Sequence, residues 1–125
     1  MILDTNAVSA LFDGDRSLEM LLEESVRHHL PIMVIGEYRF GLKESRQGRV
    51  LEPLFNRLEG ESVILAPDRA TAAVYAAIRH ELKKAGHPLP ENDIWIAALA
   101  RQHELKIASR DRHFDWITGI KRVGW

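Results

Sequence analysis

Short apolar runs and longer amphipathic segments alternate along the chain. Runs rich in β-branched residues predict strands at residues 1–3, 31–35, 62–66 and 105–108, and residues 121–123 are a candidate edge strand. Helical periodicity marks the segments between them. Strands that alternate with helices of ten or more residues are typical of a parallel sheet covered on both faces. The pattern therefore predicts an α/β fold, a three-layer α/β/α sandwich with a mainly parallel sheet of four to five strands.

Periodic apolar positions and capping residues define the predicted helices. Four of them cover residues 7–12, 36–45, 69–85 and 94–103. Another is capped by Ser17 and carries Leu18, Leu21, Leu22 and Val26 on its apolar face. The last follows Gly48 and carries Val50, Leu51, Leu54, Phe55 and Leu58 on one face. Residues 111–116 are expected to form a loop or a short helix. Gly86 is the expected end of the longest helix, because glycine readily adopts the left-handed conformation found there.

Length and composition restrict the function classes. The 125 residues suit one compact domain over residues 1–125, and 17 basic against 18 acidic side chains give a net charge of −1. The longest stretches without a formal charge, residues 28–36 and 70–78, are too short to span a membrane. No secretory signal precedes Asp4, so we expect a cytoplasmic protein. The lack of cysteine excludes disulfides, thiolate zinc sites and cysteine nucleophiles.

Four acidic residues occupy positions where ligands bind in parallel sheets, just beyond the carboxyl ends of strands. Asp4 follows the first predicted strand, and Glu37 comes two residues after the second. Asp93 lies in the first turn of the helix before the fourth strand, and Asp111 follows that strand. Taken singly, each has a structural interpretation. Asp4 could cap a helix, Asp93 could interact favourably with the dipole of its helix, and Asp111 could belong to a charged surface turn. Taken together, they predict one acidic cluster.

A cluster of carboxylates is stable only when a cation neutralises it, because like charges at close range repel. An oxygen-only ligand set suits Mg²⁺ or Mn²⁺ rather than metals that prefer cysteine or histidine. Such a site typically serves phosphoryl transfer, in which the metal activates water and stabilises the charge that develops on phosphate. The acidic cluster therefore predicts a hydrolase acting on phosphate esters.

The same residues resemble a known family over essentially the whole chain. The matching motifs are Ile2-Leu3-Asp4-Thr5-Asn6, then Ile35-Gly36-Glu37 with Gly41, then Asn92-Asp93 with Ile96-Ala97-Ala98, then Ser109-Arg110-Asp111 with His113-Phe114. This ordered set resembles the PIN-domain nucleases, and most closely the small VapC-type toxins of bacterial toxin–antitoxin pairs. Ser109 stands where the family often has threonine, which preserves the hydroxyl.

The resemblance implies a cytoplasmic, metal-dependent endoribonuclease that is blocked by a cognate antitoxin protein. Its catalytic and metal-binding quartet would be Asp4, Glu37, Asp93 and Asp111, with Thr5, Asn6 and Ser109 as supporting polar residues. Asp115 also follows the fourth strand and is an alternative or additional acid. Mg²⁺ or Mn²⁺ would be the cofactor and RNA the substrate. The family resemblance also implies a homodimer, for which Leu18, Leu22, Val26, Tyr38 and Phe40 offer apolar residues without an obvious partner.

Basic residues near the acids are candidate substrate contacts. Arg39, Lys43 and Arg46 share one face of the helix that carries Glu37. This face is a solvated surface, a rim that contacts RNA phosphates, or a contact for an acidic protein segment. Arg110 and His113, on either side of Asp111, are further candidates for substrate binding.

Two other functions compete with the nuclease. A small metal-dependent phosphatase would use Asp4 as its nucleophile, but that chemistry normally needs a second aspartate where this chain has Asn6. A catalytically silent nucleic-acid or protein-binding module would keep the fold alone. The four intact acids favour catalysis over such a module.

Overall fold

The computed structural model describes residues 1–23 and 27–125, and its centre is a five-stranded parallel sheet flanked by helices. The strands are β1 Ile2–Leu3, β2 His29–Pro31, β3 Val63–Leu65, β4 Ile107–Ala108 and β5 Arg122–Val123. Their order is β3-β2-β1-β4-β5, and every neighbouring pair is parallel. The predicted α/β architecture is confirmed, with β1 at its centre and β5 at an edge.

In the described part of the chain, six α-helices and one short 3₁₀-helix connect the strands. They are α1 Thr5–Phe12, α2 Arg16–Glu23, α3 Ile32–Glu44, α4 Gly48–Glu61, α5 Arg69–Ala85, α6 Glu91–His103 and the 3₁₀-helix Arg112–Trp116. Helix α5 has the predicted bounds, and Gly86 ends it in the left-handed conformation at φ 71°. Within residues 1–23 and 27–125, no helix is both long and apolar enough to cross a membrane.

The predicted second strand is wrong in position. The strand is His29–Pro31, and the apolar run after it, Ile32 to Ile35, begins helix α3. Pro31 ends the strand with φ −62° and ψ 143° and occupies the N-cap position of the helix. Val34, Ile35 and Tyr38 are buried at helical spacing, so the run packs as the inner face of a helix. Glu37 therefore lies in the second turn of α3, not directly after a strand.

The start of α2 also differs from the prediction. Oδ1 of Asp15 accepts the backbone N–H groups of Ser17 (3.0 Å) and Leu18 (3.3 Å), so Asp15 rather than Ser17 caps this helix. Leu18 and Leu22 are buried as expected. Val26, which was assigned to the same apolar face, lies outside the described residues.

The apolar face predicted for α4 is divided between core and solvent. Phe55 and Leu58 are buried, whereas Val50 is 72% exposed and Leu54 is 47% exposed. Phe40 on the neighbouring helix α3 is also 67% exposed. Three other residues were proposed for a dimer contact, and the structure buries them within the chain: Leu18, Leu22 and Tyr38. Apolar surface therefore remains on α3 and α4, and Phe40 belongs to it.

Candidate active site

The four predicted catalytic acids approach one another at the carboxyl edge of the sheet. Asp4 follows β1 directly, and Asp111 comes three residues after β4. Because β1 and β4 are neighbours, with Leu3 paired to Ala108, both carboxylates lie at the same edge. Asp93 comes to this edge from the first turn of α6, and Glu37 comes from α3.

A buried hydroxyl holds Asp4. The Asp4 side chain is 6% exposed and Ser109 is fully buried. Ser109 Oγ donates to Oδ2 of Asp4 (2.7 Å), and the backbone N–H of Thr5 donates to Oδ1 (2.9 Å). Ser109 Oγ in turn accepts the side-chain amide of Asn6 (3.1 Å) and the backbone N–H of Asp111 (3.0 Å). The predicted supporting residues therefore form one hydrogen-bonded network around Asp4.

Two polar side chains hold the exposed carboxylate of Glu37. Thr5 Oγ1 donates to Oε2 (2.7 Å), and Asn92 Nδ2 donates to Oε1 (2.9 Å). Asn92 was quoted as part of a motif but was not predicted as a site residue. Its signal in the sequence is its place beside Asp93 in the first turn of α6, from which its amide reaches Glu37. Thr5 and Asn92 thus connect α1 and α6 to the acid on α3.

Burial and mutual repulsion shape the ionisation of the cluster. The pKa of Asp93 is raised to about 6, first because burial disfavours the charged form and then because Asp4, Asp111 and Glu37 are negative. Burial also raises the pKa of Asp4, an effect that the hydrogen bonds from Ser109 and Thr5 oppose. Several carboxylates that perturb one another's ionisation at one place in a fold are typical of catalytic sites.

Asp111 and Asp115 have different environments. Asp111 Oδ1 accepts the backbone N–H of His113 (2.9 Å), and the imidazole Nδ1 of His113 lies 3.1 Å from the same oxygen. Arg122 binds both oxygens of Asp115 at 2.9 Å, and these hydrogen bonds lower the pKa of Asp115. The charge of Asp111 acts on Asp93, whereas the charge of Asp115 is compensated by Arg122. The structure therefore groups Asp111, rather than Asp115, with the other three acids.

Two of the predicted basic contacts are already engaged. Arg39 forms an ion pair with Glu59, donates to Asn56 and lies over the ring of Phe55. The guanidinium of Arg110 pairs with Asp15 (2.6 Å) and lies 4.8 Å from the ring centroid of Trp125.

The other two basic residues predicted for this face are placed differently, since α3 ends at Glu44 and Arg46 lies in the turn after it. Lys43 and Arg46 line a cavity of about 380 Å³ where α3 connects to α4. The sequence-predicted basic face of α3 is thus divided: Arg39 packs against α4, while Lys43 and Arg46 face the cavity.

The donor chemistry of the cluster fits a hard divalent cation. All four acids offer carboxylate oxygens, and a cation would relieve the repulsion that raises the pKa of Asp93. Within residues 1–23 and 27–125, no three acidic or imidazole side chains converge closely enough to hold an ion as they stand. Hydrogen bonds from Thr5 and Asn92 hold Glu37 in this arrangement.

Comparison with known proteins places the chain in one family. The PIN domain family matches residues 1–119. Ribonuclease VapC11 of Mycobacterium tuberculosis is 33% identical over 131 residues, covering 98% of this chain and 95% of the relative. Toxin FitB of Neisseria gonorrhoeae is 32% identical over 123 residues, covering 89% of this chain and 87% of the relative.

A solved structure agrees with these relatives. It is a toxin–antitoxin complex from Klebsiella pneumoniae with a TM-score of 0.75 and 26% identity, covering 95% of this chain and 93% of the other. The family match and the two relatives above 30% identity show that the chain belongs to the PIN-domain family, among the VapC-type ribonuclease toxins.

Proposed function

We propose that this toxin hydrolyses RNA phosphodiester bonds with Mg²⁺ or Mn²⁺ held by Asp4, Glu37, Asp93 and Asp111. The observation that carries the proposal is the placement of four carboxylates at one edge of the sheet, near enough that their mutual repulsion contributes to raising the pKa of Asp93 to about 6. A fold keeps such a repulsive cluster when a bound cation compensates for it. The similarity to proteins named ribonucleases identifies phosphodiester hydrolysis as the chemistry that the cation serves.

The metal ligands and the residues that hold them have different roles in the site. When bound, a divalent cation lowers the pKa of water and neutralises charge that develops on the phosphate. Ser109 and Thr5 fix Asp4 so that its carboxylate keeps one orientation toward the cluster. Thr5 and Asn92 bind both oxygens of Glu37, so Glu37 must turn toward the other acids when an ion binds. The fixed position of Asp4 reduces the rearrangement that the rest of the site needs when substrate arrives.

The environment of Asp4 disfavours the phosphatase alternative. A nucleophilic carboxylate must present an oxygen in line with the phosphate that it attacks. Asp4 is buried, and both of its oxygens accept hydrogen bonds from Ser109 and Thr5. Asn6 donates its amide to Ser109, so it offers no second acid. These contacts suit a ligand-binding role for Asp4 better than a covalent one.

An antitoxin protein and a second copy of the chain are the proposed partners. The similar Klebsiella structure is a toxin–antitoxin complex, which supports an antitoxin for this chain. Phe40, Val50 and Leu54 leave apolar side chains of α3 and α4 in solvent, and exposed apolar surface is typical of interaction sites. Light scattering should give about twice the chain mass of 14.3 kDa. A 14.3 kDa species at every concentration would contradict the dimer.

The decisive experiment is cleavage of labelled RNA with Mg²⁺, with Mn²⁺ and with a chelator. We expect cleavage that needs metal and that Asp4→Asn abolishes. Single-turnover reactions in ¹⁸O-water should place the label in the product phosphate, since water is the attacking group. An unlabelled first-turnover phosphate, a phosphorylated Asp4 or a cyclic phosphate product would each reject direct attack by water. Cleavage that survives the chelator would reject the metal.

A further inference from the structure

A basic cavity lies at the connection between α3 and α4, away from the catalytic acids. Lys43, Arg46 and Arg49 line this cavity, and its volume is about 380 Å³. Glu52 is the acidic residue in its wall, and Arg39 contributes a side chain that Glu59 already neutralises. We call this cavity the basic pocket.

The cations of the basic pocket are not neutralised by the protein. Within residues 1–23 and 27–125, no carboxylate pairs with Lys43, Arg46 or Arg49. Many other arginines of the described chain are held in ion pairs, namely Arg39, Arg57, Arg79, Arg101, Arg110 and Arg122. Guanidinium groups without an internal partner are available for phosphate oxygens. The basic pocket therefore carries a net positive charge that is accessible to a ligand.

A second cavity adjoins the basic pocket and reaches the catalytic acid Glu37. It has a volume of about 240 Å³, and Thr5 and Glu37 are part of its lining. Its wall also contains Leu42 and Ser45, which line the basic pocket as well. The two cavities are therefore neighbours, and we call them together the groove: its lining includes Glu37 and the cations that have no acidic partner among the described residues.

The length of the groove suits a short stretch of single-stranded nucleic acid. Six residues of helix separate Glu37 from Lys43, which corresponds to about 9 Å along α3. Stacked nucleotides advance by about 3.4 Å each, so the distance spans about three of them. A Cβ at Gly48 would lie 2.2 Å from the carbonyl oxygen of Leu42, so the α3–α4 connection is tightly closed. This tight connection holds Arg46 and Arg49 at a fixed end of the groove.

We propose that this groove binds the RNA strand on one side of the cleaved bond, with Arg46 and Arg49, which follow Lys43 in the chain, contacting phosphates about three or more nucleotides away. This inference rests on the proposed ribonuclease function and adds a substrate path to it. An RNA strand cleaved beside Glu37 must leave the site along the surface, and the groove offers a route that ends in positive charge. Phosphate contacts of this kind position a strand without reading its sequence.

The test compares the double variant Arg46→Glu/Arg49→Glu with the control Arg69→Glu/Lys106→Glu. The control changes the same charge at exposed residues outside both cavities. For a long RNA, we expect the KM of the groove variant to rise at least about tenfold, with kcat nearly unchanged. Its affinity should also depend less on salt, by about 1.4 in the log–log slope for two lost contacts. A substrate shortened to two nucleotides on each side of the cleaved bond should be cut equally by both variants.

Several other results would contradict the proposal that RNA binds in the groove. Equal KM values and equal salt slopes for the groove variant and the control would overturn it. If the groove variant instead loses binding to the purified antitoxin while its RNA kinetics stay normal, the basic pocket contacts protein and the proposal is wrong. Thermal melting of both variants shows whether they fold. If the wild-type chain cleaves no RNA, the proposed function fails, and binding of labelled RNA to the two variants still decides the groove.

Discussion

Ser109 Oγ donates a 2.7 Å hydrogen bond to Oδ2 of Asp4, joining two residues that are 105 positions apart in sequence. Both residues are buried at the ends of neighbouring strands. The same oxygen accepts the backbone N–H of Asp111, so one hydroxyl is bonded both to Asp4 and to the backbone of Asp111. The position of the acids relative to each other therefore depends on a residue that carries no charge.

Replacing Ser109 by alanine should impair both stability and catalysis. Ser109→Ala leaves buried polar groups unpaired, so the free energy of unfolding should fall by about 1–3 kcal/mol. The kcat/KM for RNA should fall about 10- to 100-fold, as is usual when a residue that orients a metal-binding group is removed. Urea denaturation and RNA cleavage measure the two effects.

A matched serine separates these effects. Ser62 Oγ donates to the carbonyl oxygen of Leu58 (2.6 Å), at the end of α4 and outside the network around Asp4. Ser62→Ala should lose some stability and keep normal cleavage. Normal cleavage by folded Ser109→Ala would show that the hydroxyl does not position the acids.

Asp4→Asn should abolish cleavage while the chain stays folded. The asparagine keeps the size of the side chain and can still accept the backbone N–H of Thr5, but it removes a charge that burial disfavours. We expect at least a hundredfold loss of kcat, since a residue proposed to touch the metal should exceed the 10- to 100-fold effect of its supports. Circular dichroism and RNA cleavage test the prediction, and a folded variant with near-normal kcat would contradict it.

Asp93→Asn should raise thermal stability in the absence of divalent metal. The pKa of Asp93 is raised from 3.8 to about 6, so the folded chain binds this proton more tightly than the unfolded chain does. The stability that comes from this proton binding is fully present below pH 3.8 and is lost as the pH rises through 6. At pH 7.5 the charged Asp93 destabilises the fold, and the neutral asparagine removes this cost.

The pH dependence of the difference is the test. At pH 7.5 the melting temperature of Asp93→Asn should exceed that of the wild type by a few degrees, since 1 kcal/mol corresponds to about 4 °C in a domain of this size. The difference should shrink as the pH falls below 6, where the wild-type carboxyl is protonated. Millimolar Mn²⁺ should stabilise the wild type and reverse the order. A lower melting temperature for the variant at pH 7.5 without metal would contradict the prediction.

The alternation of strands and helices was readable from sequence because each element carries a distinct hydrophobic period. The bounds of α5 followed from Pro67-Asp68 before it and Gly86 after it. The start of α3 was not readable, because an apolar β-branched run suits a buried strand and a buried helix equally well. Tertiary packing decided it, since His29 pairs with both Ile2 and Val63 and the strand ends at Pro31.

Site geometry depends on contacts between distant elements, which a single sequence does not display. Asn92 lies 55 positions from Glu37, and the bond between them exists only because α6 meets α3 at the edge of the sheet. The ion pair between Arg39 and Glu59 likewise depends on the packing of α3 against α4. Residue types and spacing therefore predicted a set of four acids, which the structure places at one edge of the sheet, while their hydrogen-bond partners had to be read from the structure.

The two aspartates after β4 should respond differently to neutralisation. Asp111→Asn removes a charge that acts on both Asp93 and Asp4, so we expect a loss of kcat comparable to that of Asp4→Asn. Asp115→Asn removes a partner of Arg122, whose side chain also donates to the carbonyl oxygen of Ser109. Its main effect should be on stability, by about 1 kcal/mol or less for a half-exposed ion pair.

The pH dependence and the double variant distinguish these roles. The pKa of Asp115 is lowered in the folded chain, so its contribution to stability is present above pH 3.8 and is lost as the pH falls below that value. If Asp111 alone completes the quartet, Asp111→Asn/Asp115→Asn should cleave RNA no more slowly than Asp111→Asn. If Asp115 substitutes for its neighbour, Asp111→Asn retains activity that the double variant loses. The second result would require Asp115 to leave Arg122 and turn toward Asp93.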